Sequence, residues 1–331
     1  MKIFKKTKKF FKDLYLLNNE HGGFHQDEAR LRQKYSSPTK ICEQRPFSVI
    51  VCVDGAYPQG GLSDRIRGIV SIYHFCKQHH LPFFIHFTYP FDLKDYLQPN
   101  QYNWYISPEE ISHNAEEAEP MLLFCHLLNH KFHRQYLEKR IKKAMATRKQ
   151  LHIYTNTFIE DQHFTKDFNE LFTCAPRLQE LVDQTCKMVG DHYISVSFRF
   201  QNLLGDFQDD CNEELSENEK QILIDKCIRK VAEIHDTQFP SSQVLVAGDS
   251  KRFIEATQEA LPYAITIPGN VVHVDYALEA DYYDYAKVFI DWFVLSHAQK
   301  LFLLKTGKMY KGGFAKRASK ITGAPYEEFF F

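Results

Sequence analysis

Residues 191–206 read Asp-His-Tyr-Ile-Ser-Val-Ser-Phe-Arg-Phe-Gln-Asn-Leu-Leu-Gly-Asp, and the reading of this stretch decides the fold. Tyr193–Phe198 carries β-branched and aromatic residues with period-2 alternation, the pattern of a strand. The run delivers Arg199 at or near the strand's C-terminal end and passes into a polar, aromatic loop over 200–212. In an open α/β sheet, ligands sit in the crevice outside the carboxyl ends of the strands. An arginine there suits a phosphate, because its planar, always charged fork matches paired phosphate oxygens. An arginine in a structural salt bridge is the competing reading, and the segment by itself fits both.

Downstream, the chain repeats strand and helix. Leu215–His235 is an amphipathic helix with Ser216 and Glu219 spaced as a capping box. Val244–Ala247 is a short buried strand that ends in Gly248-Asp249-Ser250 and leads into a helix over Lys251–Ala260. A strand over Ala264–Ile267, a helix over Asp281–Ser296 and a strand over Lys300–Leu304 follow. Gly312-Gly313-Phe314 then opens a helix through Ser319. Arg199, Asp249 and the Gly312–Gly313 turn therefore all fall at strand ends.

Upstream, Phe47–Val53 is a near-continuous apolar run, a buried parallel strand. After Asp54-Gly55, the turn Gly60-Gly61-Leu62-Ser63-Asp64-Arg65 opens a helix to about His79, and Leu81–Tyr89 is a second strand. Strand, glycine loop and helix point backbone N–H groups and a positive dipole end at an anion. The middle, about Ser107–Gln150, reads as helical and basic. In it His126, His130 and His133 share a face, but no carboxylate or cysteine completes a metal set, which leaves them as solvated histidines. Leu151–Tyr154 is a strand and Phe164–Val189 a helical stretch.

This order predicts an α/β protein with two Rossmann-type domains facing across a cleft. The expected division is a basic N-terminal segment and polar connector over 1–45, one Rossmann-like domain over 46–189 and a second over 190–331. At 331 residues, 44% hydrophobic and 25% charged, the chain has material for two ordinary cores. Its net charge of -1 supplies no global basic field for a nucleic acid. None of the eight cysteines forms a Cys-x-x-Cys pair; with no apolar run of membrane-spanning length and no secretory leader, the chain reads as cytoplasmic. Residues 2–16 are basic and amphipathic, able to lie on an anionic membrane or to pack their Phe residues on the domain.

Together these pieces resemble the GDP-fucose-dependent fucosyltransferase superfamily, the α1,2-, α1,6- and protein O-fucosyltransferases of GT-B fold. Gly60-Gly61-Leu-Ser-Asp64-Arg65 resembles the family's glycine-rich first loop, and Tyr193–Arg199 its strand ending in the pyrophosphate-gripping arginine. Val246-Ala247-Gly248-Asp249-Ser250 is similar to its Asp-Ser/Thr motif. Asp291–Ser296, Lys300–Leu304 and Gly313-Phe314-Ala315 resemble its closing helix, strand and turn. The family's donor strand usually carries a histidine and a second arginine, where this chain has Ser197-Phe198-Arg199-Phe200, and Gly312-Gly313 stands where serines are usual. The resemblance is nearest to bacterial polysaccharide-type members.

The resemblance implies an inverting transfer of a sugar, fucose first, from a GDP-sugar to a glycan acceptor, without a metal or other cofactor. It implies catalytic roles for Arg199 and Asp64, and donor binding by Gly60, Gly61, Arg65, Asp249, Ser250, Gly312, Gly313 and Phe314. From the residues alone, Asp64 equally suits a helix first turn and Asp249 a helix cap. A non-catalytic nucleotide- or sugar-binding module of the same shape is the alternative. A dinucleotide enzyme is disfavoured, because the first loop lacks the third glycine and no acidic residue ends the second strand.

Overall fold

The computed structural model describes residue 11 and residues 25–42, 44–124, 128–159, 162–207, 213–275 and 280–331. Apart from Phe11, the basic segment over 1–16 lies outside these. The chain divides into two compact units, Met1–Leu93 with Leu97–Thr173, and Lys94–Tyr96 with Cys174–Phe331.

In the first unit β1 (Ser48–Val53) pairs in parallel with β2 (Phe83–Phe87) and β5 (Gln150–Thr155), and β4 (Ala118–Leu123) lies outside β5. The short β3 (Leu97–Pro99) pairs with β6 (Phe172–Cys174). The sheet order β2-β1-β5-β4 reverses between β1 and β5. Every residue of β1 is buried, which its unbroken apolar run requires. Helix α1 (His25–Gln33) packs on β4. Helix α2 (Leu62–Gln78) buries Ile66, Ile69, Val70 and Tyr73. It approaches the end of β5 so closely that a Cβ on Gly68 would stand 2.7 Å from the Thr155 carbonyl oxygen. Helices α3 (His130–Thr147) and α4 (Phe164–Leu171) complete the unit.

The second unit has α5 (Pro176–Val189), β7 (Tyr193–Ser197), α6 (Glu217–Gln238), β8 (Gln243–Ala247), α7 (Lys251–Ala260), β9 (Ala264–Ile265), α8 (Tyr282–Ser296), β10 (Leu301–Lys305), α9 (Phe314–Thr322) and β11 (Tyr326–Phe330). All its strand pairs are parallel, in the order β11-β10-β7-β8-β9. The chain runs outward from β7 to β9, returns, and runs outward on the other side, the Rossmann order with its reversal between β7 and β10. Its core joins Ile194, Val196 and Phe198 to Val231, Val244, Phe253, Phe302 and Leu304. The capping box at Ser216 and Glu219 is present.

Several elements differ from the sequence reading. The polar connector contains α1, whose Leu31 is buried and whose Glu28 is held by Arg140 at 2.8 Å. The middle is not all helix, because β4 lies within it. Glu119 and Pro120 disguise that strand, yet an edge position tolerates the proline and Arg140 pairs Glu119 at 2.9 Å. The stretch 164–189 is broken by β6 and by Pro176 at the start of α5. Helix α5 buries Leu178 and Val182 and packs on α8, so the contact boundary falls after Thr173 rather than at Gly190. Strand β11 adds an edge that the sequence reading left out.

Candidate functional site

In the second unit the strand-end residues come together at the reversal point. Arg199 follows β7, and its Nη1 donates to Asp249 Oδ2 at 2.9 Å from the end of β8. Asp249 is buried, and it also accepts the Phe200 and Gln201 amides at 2.7 and 2.8 Å. Burial raises its carboxyl above the usual range, against the pull of the Arg199 guanidinium and these amides. Arg199 lies over the ring of Phe207, 4.6 Å from its centroid, while its side chain stays 23% exposed. The guanidinium is thus braced on two sides and still reachable from solvent.

The loop after β10 closes on the same residue. The Tyr310 amide donates to the Arg199 carbonyl at 3.0 Å, and a Cβ on Gly312 would lie 3.7 Å from Arg199 Cβ and Cγ. Gly313 is the N-cap of α9 and offers no side chain to cap the backbone N–H groups of the first turn. The Phe314 carbonyl accepts the Trp292 indole N–H at 3.2 Å, which anchors the turn. A fixed guanidinium beside a helix N-terminus is a chemistry for anions, phosphates above all. Ser250 is occupied internally: it caps α7 by accepting the Phe253 amide at 3.1 Å and donates to Asp206 at 2.9 Å. The cap that the sequence reading allowed to Asp249 therefore belongs to Ser250.

In the first unit Gly60, Gly61, Asp64 and Arg65 gather where β1 ends and α2 begins. Gly60 takes φ 78°, a left-handed conformation suited to glycine. Asp64, in the first turn of α2, pairs with Arg67 Nη2 at 3.0 Å and keeps 39% of its side chain exposed. Arg65 is buried, donating from Nε to the Gly60 carbonyl at 2.8 Å and from Nη1 to that of Tyr89 at 2.7 Å. These two bonds clamp the loop. Arg67, which sequence reasoning did not single out, reaches the Asn156 carbonyl beyond β5 from Nε at 2.8 Å.

Sequence reasoning also missed Phe207 and Asp206, although both sit in or beside the opening segment; an aromatic and an acid next to a strand-end arginine are the signal. It missed Asp54, the last residue before the first loop, whose Oδ2 accepts the Tyr154 hydroxyl at 3.0 Å. His133 is buried rather than solvated, donating from Nε2 to the Leu128 carbonyl at 2.8 Å with Thr157 on Nδ1 at 3.2 Å. His126 lies outside the described residues. Among those described, no three His, Cys, Asp or Glu side chains converge as a metal set, and Cys42, Cys52, Cys76, Cys174, Cys186 and Cys227 are free thiols. None of the described helices is long and apolar enough to cross a membrane.

No protein-family model matches the sequence, and no curated protein matches it either. Solved structures do resemble it. An Arabidopsis thaliana FUT1 mutant in complex with GDP superposes with a TM-score of 0.55 at 12% identity, over 98% of this chain and 78% of that one. NodZ α-1,6-fucosyltransferase soaked with GDP-fucose gives 0.56 at 9% identity, over 86% and 95%. Fucosyltransferase NodZ from Bradyrhizobium gives 0.53 at 8%, over 82% and 92%. The likeness establishes a shared fold: α/β, with a Rossmann-type parallel sheet in each unit.

Proposed function

We propose that this protein is an inverting glycosyltransferase that moves a sugar, fucose first among the candidates, from a GDP-sugar to a glycan acceptor in cell-surface polysaccharide synthesis. The observation that carries the reading is Arg199, braced by Asp249 and Phe207 beside the uncapped start of α9 at a sheet reversal. The shared fold supports it, since the similar structures hold GDP or GDP-fucose.

Breaking a sugar–phosphate bond leaves an oxocarbenium-like sugar and a diphosphate with growing negative charge. Arg199 and the backbone N–H groups after Gly313 stabilise that charge as it develops, electrostatic help aimed at the transition state. No metal is required for this role, because a guanidinium and a helix N-terminus supply the positive potential. Asp249 and Ser250 hold the donor loop in shape, and Asp64 at the mouth of the first unit orients the acceptor. The reaction belongs on the cytoplasmic side, with residues 1–16 resting on an anionic membrane near a lipid-linked acceptor.

Calorimetric titration with GDP, UDP, ADP and NAD tests the reading. GDP alone should bind, and Arg199→Ala should slow GDP release from GDP-fucose by about 10²–10³-fold, the usual effect of losing one such group. Binding of NAD alone, or an unchanged rate in the variant, would refute it. GDP binding without release in the presence of acceptors would favour the non-catalytic module.

A further inference from the structure

Helix α3 carries six lysines and arginines and a single acid, Glu138, in a chain whose net charge is -1. None of the roles assigned so far uses this concentration of charge. The inward side of the helix is apolar at helical spacing: His133, Tyr136, Leu137, Ile141 and Ala144 are buried, and the helix packs on β4 and β5. Its two arginines are engaged within the first unit. Arg140 reaches Glu28 at 2.8 Å and Glu119 at 2.9 Å, and Arg134 reaches Glu138 at 3.2 Å and Gln78 at 2.9 Å.

The lysines face the other way. Lys131, Lys139, Lys142 and Lys143 are all exposed. Lys131, Gln135, Lys139, Lys142 and Ala146 follow one another at steps of three or four residues, so they form one stripe along the outer face. At about 1.5 Å of rise per residue, that stripe is about 22 Å long. Lys143 flanks it on one side, and Met145, 49% exposed, on the other. Lys139 meets Lys142 and Lys143 at i, i+3 and i, i+4, spacings at which like charges repel. The buried side holds the helix in place despite that repulsion, and an anionic partner on the outer face removes it.

We propose that the outer face of α3 docks on the headgroups of an anionic phospholipid bilayer. The proposal rests on the membrane contact suggested above for residues 1–16 and adds a second, structured contact to it. Clusters of four or more lysines on one helix face suit anionic lipid, because each ammonium is a mobile point charge that finds its own phosphate or carboxylate. A straight, convex stripe matches a plane of headgroups, and Met145 beside it adds an apolar contact at the acyl boundary. Nucleic acid fits the same charge less well. Its recognition draws on arginine forks and exposed aromatic platforms, whereas here both arginines are engaged with side chains of the unit and the stripe carries lysine, glutamine and alanine. Four lysines hold a membrane only weakly, so the stripe acts together with residues 1–16 and neither suffices alone.

Co-sedimentation of the full chain with phosphatidylserine vesicles, and with phosphatidylcholine vesicles as the neutral reference, tests the surface. The wild type should bind the anionic vesicles alone, and added salt should release it. Replacing Lys131, Lys139, Lys142 and Lys143 together by glutamine keeps good helix formers and should weaken binding by about 10²–10³-fold, about fivefold for each lysine. GDP affinity and the urea midpoint should stay at wild-type values, and arginine at the same four positions should retain the binding. Lys139→Glu, a single exposed change, should weaken binding by about 10–30-fold. Undiminished binding in the glutamine variant would overturn the proposal and leave the contact through residues 1–16 standing. A wild type that ignores anionic vesicles would refute the membrane reading as a whole. Tighter binding of the wild type to single-stranded RNA than to vesicles, lost in the glutamine variant, would overturn the proposal in favour of a nucleic-acid surface.

Discussion

Replacing Asp249 by alanine separates two ways of using a buried acid at a strand end. Its carboxylate accepts from Arg199 Nη1 at 2.9 Å, from the Phe200 amide at 2.7 Å and from the Gln201 amide at 2.8 Å. Two buried amides left unpaired cost about 1–3 kcal/mol each, and breaking a buried ion pair from one side costs about 3–5 kcal/mol. These losses overlap, and the 23% exposure of Arg199 lets water take up part of its charge. A net loss of about 3–4 kcal/mol is therefore expected for the second unit. GDP affinity should weaken as well, because Arg199 must be ordered on binding; immobilising one such side chain costs about 0.5–1.5 kcal/mol, up to roughly tenfold in Kd. Asp249→Asn, which keeps one acceptor oxygen, should fall between. Urea unfolding followed by tryptophan fluorescence checks the first number, with Trp104 reporting on the first unit and Trp292 on the second. Calorimetry with GDP checks the other. An unchanged urea midpoint together with unchanged GDP affinity would refute the bracing role. A large affinity loss at full stability would return Asp249 to direct contact with the nucleotide.

Arg65→Met keeps the side chain's length but removes the donors to the Gly60 and Tyr89 carbonyls, and should destabilise the first unit by about 2–4 kcal/mol. GDP affinity should stay at the wild-type value; a stable variant that loses GDP binding would place Arg65 at the ligand after all. His152 is neutral in the folded protein, with its pKa lowered to about 3, so its stability contribution is complete above the unfolded value near 6.5 and is lost as pH falls below it. Unfolding at pH 7 and pH 5 should differ by about 2 kcal/mol from this group, and the difference should shrink in His152→Gln. Removing residues 1–16 should abolish binding to phosphatidylserine vesicles and leave GDP affinity intact; undiminished vesicle binding would end the membrane role of that segment.

The parts of the site that were legible in the sequence are those announced by a change of period. Tyr193–Phe198 alternates and then stops at Arg199, and the β8 strand stops at Gly248-Asp249-Ser250, so strand ends could be placed without coordinates. What each strand-end residue does was not legible, because it depends on a partner far along the chain. Arg199 reads equally well as a ligand grip and as half of a salt bridge, and the structure makes the ion pair with Asp249 the means of holding the guanidinium. Arg65 and Arg67 look alike in the sequence, yet one donates to the Gly60 and Tyr89 carbonyls and the other pairs with Asp64 and reaches the Asn156 carbonyl beyond β5. Strand β4 was hidden because Glu119 and Pro120 break the apolar run, and only the edge position and Arg140 make them tolerable. Tyr35, His152 and Tyr154 gave no signal, since isolated aromatics in apolar surroundings look like core.

The two units solve one topological problem with opposite chemistry. Each sheet reverses direction beside its first strand, and in each that strand ends in a charged residue, Asp54 after β1 and Arg199 after β7. Both are fixed by a side chain from another strand of the same sheet, Tyr154 of β5 for the acid and Asp249 beyond β8 for the base. The partners differ in kind. Tyr154 is a neutral donor, so Asp54 is held without a counter-charge. Asp249 is held by two backbone amides, so Arg199 keeps one position through a reaction. A group transfer between oxygens needs one site whose charge changes, to take a proton, and one whose charge stays constant, to meet a departing phosphate. The second unit has the bracing for a constant site, which is why the leaving group is assigned to Arg199 in the reading proposed above.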